Sequence, residues 1–303
     1  MSYLVKRLIS SIFIFNILFF STSSFGQRLK INVALGASAY VGDLQSEPGF
    51  LIQPKAAFTL GTSYDLNQFI RARVDLSIMG AKGDDKLSQI LDNRKRNLNF
   101  KTTIWELALL GEYDLLNLIL QKQTAFTPYV FGGPGVFHFN PTTIDRNGNK
   151  VWLHNIGTEG QLLGNESYSY RNYRLTQLNL QLGIGFRYMI NDQITLGFEA
   201  SYRKIDTDYL DDVHAIPYVN PSEFLAKGQV EAAQLAFRGD EIGYTFSDVS
   251  SHGRGTGNNK DYYYSFQLKA TIRLDNIHIG KDLDYYFLPR DRAIRSQRNP
   301  PRL

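Results

Sequence analysis

The chain contains no cysteine. Disulfide staples, thiol catalysis and thiolate metal sites are therefore excluded, as is a lipid carried on a cysteine. Histidine is sparse as well. His138, His154, His214, His252 and His278 are scattered, with no HExxH spacing, and no GxSxG stretch occurs. An excess of one charge is also missing. The formal net charge is +4, and removing Lys6 and Arg7 leaves +2. That is too mild to imply a nucleic-acid partner.

Long apolar runs are absent except at residues 8–20, which follow Lys6 and Arg7 and precede small residues ending Ser24-Phe25-Gly26. This is the layout of a secretory signal peptide, so residues 1–26 are expected to be removed after Gly26. As a membrane anchor the run falls short of the ~20 residues a spanning helix needs. The exported remainder has no stop-transfer segment. It is expected to be soluble outside the inner membrane or inserted in an outer membrane as strands.

What the chain does have is alternation. In LNLQLGIGFRYMINDQITLGFEASYRK, residues 178–204, Leu178, Leu180, Leu182, Ile184, Phe186, Tyr188 and Ile190 share one face. After Asn191-Asp192 the alternation resumes with Ile194, Leu196, Phe198, Ala200 and Tyr202. A period of two is the signature of a strand. It recurs at residues 29–40, 55–65, 69–81, 101–114, 127–139 and 260–274, giving eight strands, most longer than strands in soluble proteins. At 127–139 the apolar face is read as Tyr129, Phe131, Phe137 and Phe139. Gly132-Gly133-Pro134-Gly135 falls mid-strand, where glycine allows close packing or a bend, and is not a phosphate loop.

The opposite face carries Arg71, Arg73, Asp75, Glu106, Glu112, Arg187, Glu199, Arg203, Lys269 and Arg273. A secreted sandwich would turn this face to water and a membrane barrel would turn it to a lumen. Connection lengths favour the barrel, because turns at 66–68 and 191–192, which are short, and at 115–126, which is longer, alternate with long connections at 41–54, 82–100, 140–173 and 206–259. Tyr64, Tyr113 and Tyr188 at one end, with Tyr202, Tyr262 and Phe139 at the other, read as interfacial girdles. The expected fold is all-β: an eight-stranded antiparallel outer-membrane barrel over residues 27–276, up-and-down, with long external loops and both termini periplasmic. Eight strands enclose an interior that side chains roughly fill. The inward charges are therefore expected to form a structural network, with Arg71 or Arg73 paired to Glu112, rather than line a pore.

Three further features lie outside the strands. Asn220-Pro221-Ser222-Glu223 opens a helix expected to run to Arg238, with Gly228 weakening its middle. KIDTDYLDDV, residues 204–213, holds Asp206, Asp208, Asp211 and Asp212. It lacks the ligand spacing and central glycine of a calcium loop and is expected to form a solvated acidic rim. The tail, residues 277–303, is basic, with Arg290, Arg292, Arg295 and Arg298 as candidate partner contacts. A rim enzyme would have to rest on His138 with an orienting acid, and no catalytic, metal or cofactor site is expected.

Taken together, RNLNFKTTIWELALLGEYDLL, FTPYVFGGPGVFHFNP, NIGTEGQ, LGIGFRYMINDQITLGFEASYRKIDTDYLDDV and RGTGNNKDYYYSFQLKATIRL resemble the PorG family, above all in GTEGQ and TDYLDD. The resemblance spans residues 31–274, and the tail beyond Asn276 departs from the pattern. It implies a non-enzymatic outer-membrane barrel of the type IX secretion system. The implied partners are outer-membrane lipid and a periplasmic ring of a lipoprotein and a second subunit, PorK and PorN. The ring supports export of cargo with a C-terminal sorting domain, and gliding. A general OmpA-like or adhesin barrel acting through its loops is the other reading.

Overall fold

The computed structural model describes residues 29–45, 53–115, 119, 125–214, 218–251, 253–256 and 260–274. The expected signal peptide and basic tail lie outside them. One compact unit, Lys30–Ile272, contains nearly everything described. The second holds Leu29, Arg273 and Leu274 of the described residues.

Eight long strands make the wall: β1 Leu29–Val41, β2 Lys55–Asp65, β3 Ile70–Asp84, β4 Asn99–Asp114, β5 Phe126–His138, β8 Thr176–Met189, β9 Ile194–Ile205 and β10 Tyr262–Arg273. A short hairpin, β6 Thr142–Ile144 and β7 Lys150–Trp152, branches from β4 in the β5–β8 connection. The pairing order β3-β2-β1-β10-β9-β8-β5-β4 is completed by β3 against β4, so the sheet closes. Closure leaves no unpaired edge, which is what a sheet in hydrocarbon requires. The wall strands run from 11 to 16 residues, at or beyond the 9–11 that cross a bilayer.

The outward residues are apolar and open. Leu178 and Leu268 are each 70% exposed, Ile184 64% and Leu109 59%. A belt of this kind is unfavourable in water and marks a lipid-facing surface. Both short turns use one device. The side chain of Asn67 accepts from the N–H groups of Phe69 and Ile70, and that of Asn191 from Gln193 and Ile194.

Three expectations are corrected. The aromatic face of β5 points inward, since Tyr129, Phe131 and Phe137 are buried, as is Phe139 just beyond the strand. Both faces of β5 are apolar, so alternation does not fix its facing. The facing follows from space inside the wall: a Cβ on Gly183 would come 2.3 Å from Phe131 Cζ, and one on Gly185 would come 2.6 Å from Tyr129 Cζ. The helix expected to Arg238 is two helices, Pro221–Ala226 and Val230–Ala236, broken where Gly228 takes φ +73°. Its start is as expected, with Asn220 capping Ser222 N–H. Of the acidic run Asp206 is solvated as expected, but Asp208, Asp211 and Asp212 are buried, with Leu210 and Val213.

Candidate functional site: a packed lumen under a folded cap

Inside the wall the charges meet. Glu112 Oε1 accepts from Arg73 Nη1 at 2.7 Å and Lys269 Nζ at 3.0 Å. Its Oε2 accepts from Arg71 Nη1 at 2.9 Å and Arg187 Nη1 at 3.0 Å. Glu199 Oε1 takes Arg73, Lys269 and the Tyr129 hydroxyl, each at 2.7 Å. Asp75 sits 2.8 Å from Arg73 Nε, and Phe131 lies under the Arg73 guanidinium at 4.6 Å. Toward the end that carries the long loops, Glu106 accepts from Arg203 Nε at 3.3 Å and Tyr263 Oη at 2.7 Å.

Nine of the ten charged positions read from the sequence, all but Arg273, therefore meet in the lumen. Asp65, Lys30 and Asp114 join them, through Lys30–Asp65 at 2.6 Å, Arg71–Asp65 at 2.6 Å and an Arg187–Asp114 pair. Their inward parity on β1, β2 and β4 was the signal available for finding them. Six cations and six carboxylates take part, so this ion-paired set is neutral. A water-filled channel would leave its lining exposed, whereas the side chains of Glu112 and Arg73 are 0% and 1% exposed. At this level the lumen is packed.

Above it the packing turns apolar. Tyr40, Met79, Phe100, Ile104, Phe137, Phe139, Leu210 and Val213 form one buried cluster at the barrel mouth. Over this cluster the long loops are tied by buried ion pairs. Arg96, at the end of a short helix Leu91–Arg96 just before β4, clamps Asp85 with Nε and Nη2, both at 2.8 Å. It also donates to the carbonyls of Asp43 and Arg254 in two other loops. Arg254 donates to Glu159 Oε1 at 2.7 Å, to Thr158 Oγ1 at 3.0 Å and to the Asp212 carbonyl at 2.7 Å. Tyr173 donates to Asp212 Oδ1 at 2.7 Å. The GTEGQ, TDYLDD and RGTG segments, far apart in sequence, thus converge on one buried node.

A second node gathers carboxylates. The Tyr40 hydroxyl bonds Asp211 and lies 3.3 Å from Asp261 Oδ1, while Asp43 accepts from Thr256 N–H and hydroxyl. His214 Nδ1 is 2.7 Å from Asp208 Oδ2. Burial pushes Asp208 and Asp212 up to about 6, and Asp211 and Asp261 well above the usual carboxylate range. Among the described residues no group of three or more His, Asp or Glu side chains is arranged to hold a metal ion. His138 projects outward and pairs with Thr176 Oγ1 at 2.9 Å. Arg290, Arg292, Arg295 and Arg298 lie outside the described residues. Arg96, Asp85, Asp43, Glu159 and Arg254 went unread as site residues because loops carry no periodic signal.

A family model described as a domain of unknown function, DUF6089, matches residues 6–158, just over half of the 303-residue chain. The chain belongs to the DUF6089 family. In this DUF6089 protein the match takes in β1 to β7 and Glu159's neighbour Thr158. No curated protein sequence matches it significantly. Among solved structures it is similar to Ail, the attachment invasion locus protein of Yersinia pestis, at 9% identity and TM-score 0.38, covering 81% of this chain and 97% of that one. It is similar to the N-terminal β-barrel domain of Pseudomonas aeruginosa OprF at 10% identity and TM-score 0.34, covering 82% and 98%. A major outer membrane protein from Thermus thermophilus gives 12% identity and TM-score 0.38, covering 80% and 98%. The barrel of this DUF6089 protein is read from its own strand pairing, and these likenesses add nothing to that.

Proposed function

We propose that this protein is a non-enzymatic outer-membrane component of a type IX secretion system. In this reading it anchors or associates with a periplasmic ring of a PorK-like lipoprotein and a PorN-like subunit, and so supports export of sorting-domain cargo and gliding. The observation that carries a scaffold over a conduit is the packed lumen, in which the Glu112 and Arg73 side chains are sealed from solvent. The secretion assignment rests on the PorG-like segments, from GTEGQ to TDYLDD. The short turns and the termini face the periplasm and the cap faces outward. The basic residues Arg290, Arg292, Arg295 and Arg298 supply charge for a ring contact.

The deciding experiment deletes the gene in its host and assays sorting-domain cargo in the medium and the periplasm. Cargo trapped in the periplasm and released on complementation supports the reading. Normal export overturns it. A second experiment truncates the chain after Asn276: the barrel is expected to fold but to lose co-purification of the ring, and unchanged co-purification removes the tail from the reading.

The folded cap favours one other reading, an OmpA-like or adhesin barrel acting through its external surface. Loops tied by Arg96 and Arg254 present a fixed shape rather than a mobile fringe. That reading expects normal export and loss of surface attachment when the cap is disrupted.

A further inference from the structure

On the outside of the barrel, where β3 and β4 rise above the lipid belt, four lysines meet. Going up β4, the outward residues are Leu109, Leu107, Trp105, Thr103 and Lys101; going up β3 they are Leu76, Ile78, Gly80 and Lys82. This is the order hydrocarbon, aromatic interface, headgroup. At ~3.3 Å per residue, Lys101 stands roughly 13 Å beyond Trp105 along the strand, within the headgroup layer.

Lys82 is directly opposite Lys101 in the β3–β4 register. Like charges facing one another across a strand pair are destabilising. Lys55 joins them from β2, its stem lying across Gly80, where a Cβ would come 2.6 Å from Lys55 Cβ. Lys150 comes from the β6–β7 hairpin, its Nζ 4.5 Å above the Trp152 ring. Among the described residues none of these four ammonium groups has an ion-pair partner. Asp84 is the acid at the groove, and its Oδ1 accepts from the Lys86 N–H instead. The four lysines border a groove of about 700 Å³ whose wall includes Trp105 and Trp152, both tryptophans of the chain.

We propose that this groove binds the phosphorylated headgroup of an outer-leaflet lipid. The ammonium groups of Lys55, Lys82, Lys101 and Lys150 take the phosphate oxygens as point charges. Trp105 and Trp152 cover the sugar or glycerol and the first acyl carbons, as amphipathic rings do at a membrane interface. The bound phosphate relieves the Lys82–Lys101 opposition, which nothing in the wall relieves. The inference needs the barrel in its membrane. It is independent of the secretion role, and its test does not use secretion.

Because both tryptophans line the groove, intrinsic fluorescence reports on it. The full chain, folded in a zwitterionic detergent, is titrated with bisphosphorylated lipid A, with the dephosphorylated lipid of the same acyl composition, and with inorganic phosphate. A saturable emission change is expected with the phosphorylated lipid. Lys82→Gln with Lys101→Gln is expected to weaken it about thirtyfold, and Lys150→Gln alone by a smaller factor. Heat-dependent gel mobility confirms that each variant is folded. Equal responses to phosphorylated and dephosphorylated lipid overturn the proposal. So does unchanged affinity in the folded double variant, or a response to inorganic phosphate that matches the lipid.

Discussion

Arg254 and Glu159 stand 95 positions apart in sequence and 2.7 Å apart in space, both buried. The pair joins the β5–β8 connection to the β9–β10 connection. Arg96 does the same for the β1–β2, β3–β4 and β9–β10 connections. The loops are thus one folded layer, laid over an apolar mouth.

Breaking that pair should free the layer without opening the wall. Removing one member of a buried ion pair strands the other charge, at a cost of about 3–5 kcal/mol. Arg254→Ala is expected to make the loops protease-sensitive while the strands stay protected. Limited proteolysis with mass mapping reads both, and equal protection of the loops in wild type and variant would contradict the tie.

Glu112 is shared by four cations. Glu112→Gln leaves them short of a charge and is expected to destabilise the barrel by about 3–5 kcal/mol, read as a lower urea midpoint in lipid vesicles. The same packing forecasts conductance. Purified protein in planar bilayers should show no stable open channel, and steady channel currents would refute the packed lumen.

Gly183 gives Phe131 its place. Gly183→Ala puts a methyl against that ring and against the Ala200 carbonyl, 2.8 Å away. Overpacking of this kind costs about 1–3 kcal/mol. Gly164→Ala, with open space around it but a φ of +71°, tests backbone strain alone. Urea unfolding compares the two.

The cap should weaken as pH rises. Asp208, facing His214, Asp43 and Lys260, and Asp212, facing Arg254 and Glu159, are each raised by burial to about 6. A carboxyl whose folded pKa lies above its unfolded value holds its proton more tightly when folded. Its contribution is full below about pH 4 and is lost as pH rises through about 6. The Leu210 and Val213 amides, bonded to Asp261 and Asp211, are the reporters. Corrected for intrinsic rates, their hydrogen exchange should be slower at about pH 4.5 than at about pH 7.5.

The wall was legible because period two is written into each strand, and the inward charges followed from parity. β5 misled because both its faces are apolar, and only the glycines opposite, Gly183 and Gly185, say which way its rings turn. The acidic run misled for another reason. Asp211 and Asp212 look like solvent residues until Tyr40 arrives from β1, and Tyr173 and Arg254 from distant loops, and no local pattern announces that meeting. The segments GTEGQ and TDYLDD stood out as motifs, but their burial did not.

The Thr256 N–H and hydroxyl bond the Asp43 carboxylate across 213 positions. One partner follows the first wall strand and the other precedes the last. They flank the seam where β1 meets β10, which joins the first and last strands of the wall. A cap tied in this way needs both ends of the wall in place. A formed cap thus reports that the seam beneath it has closed.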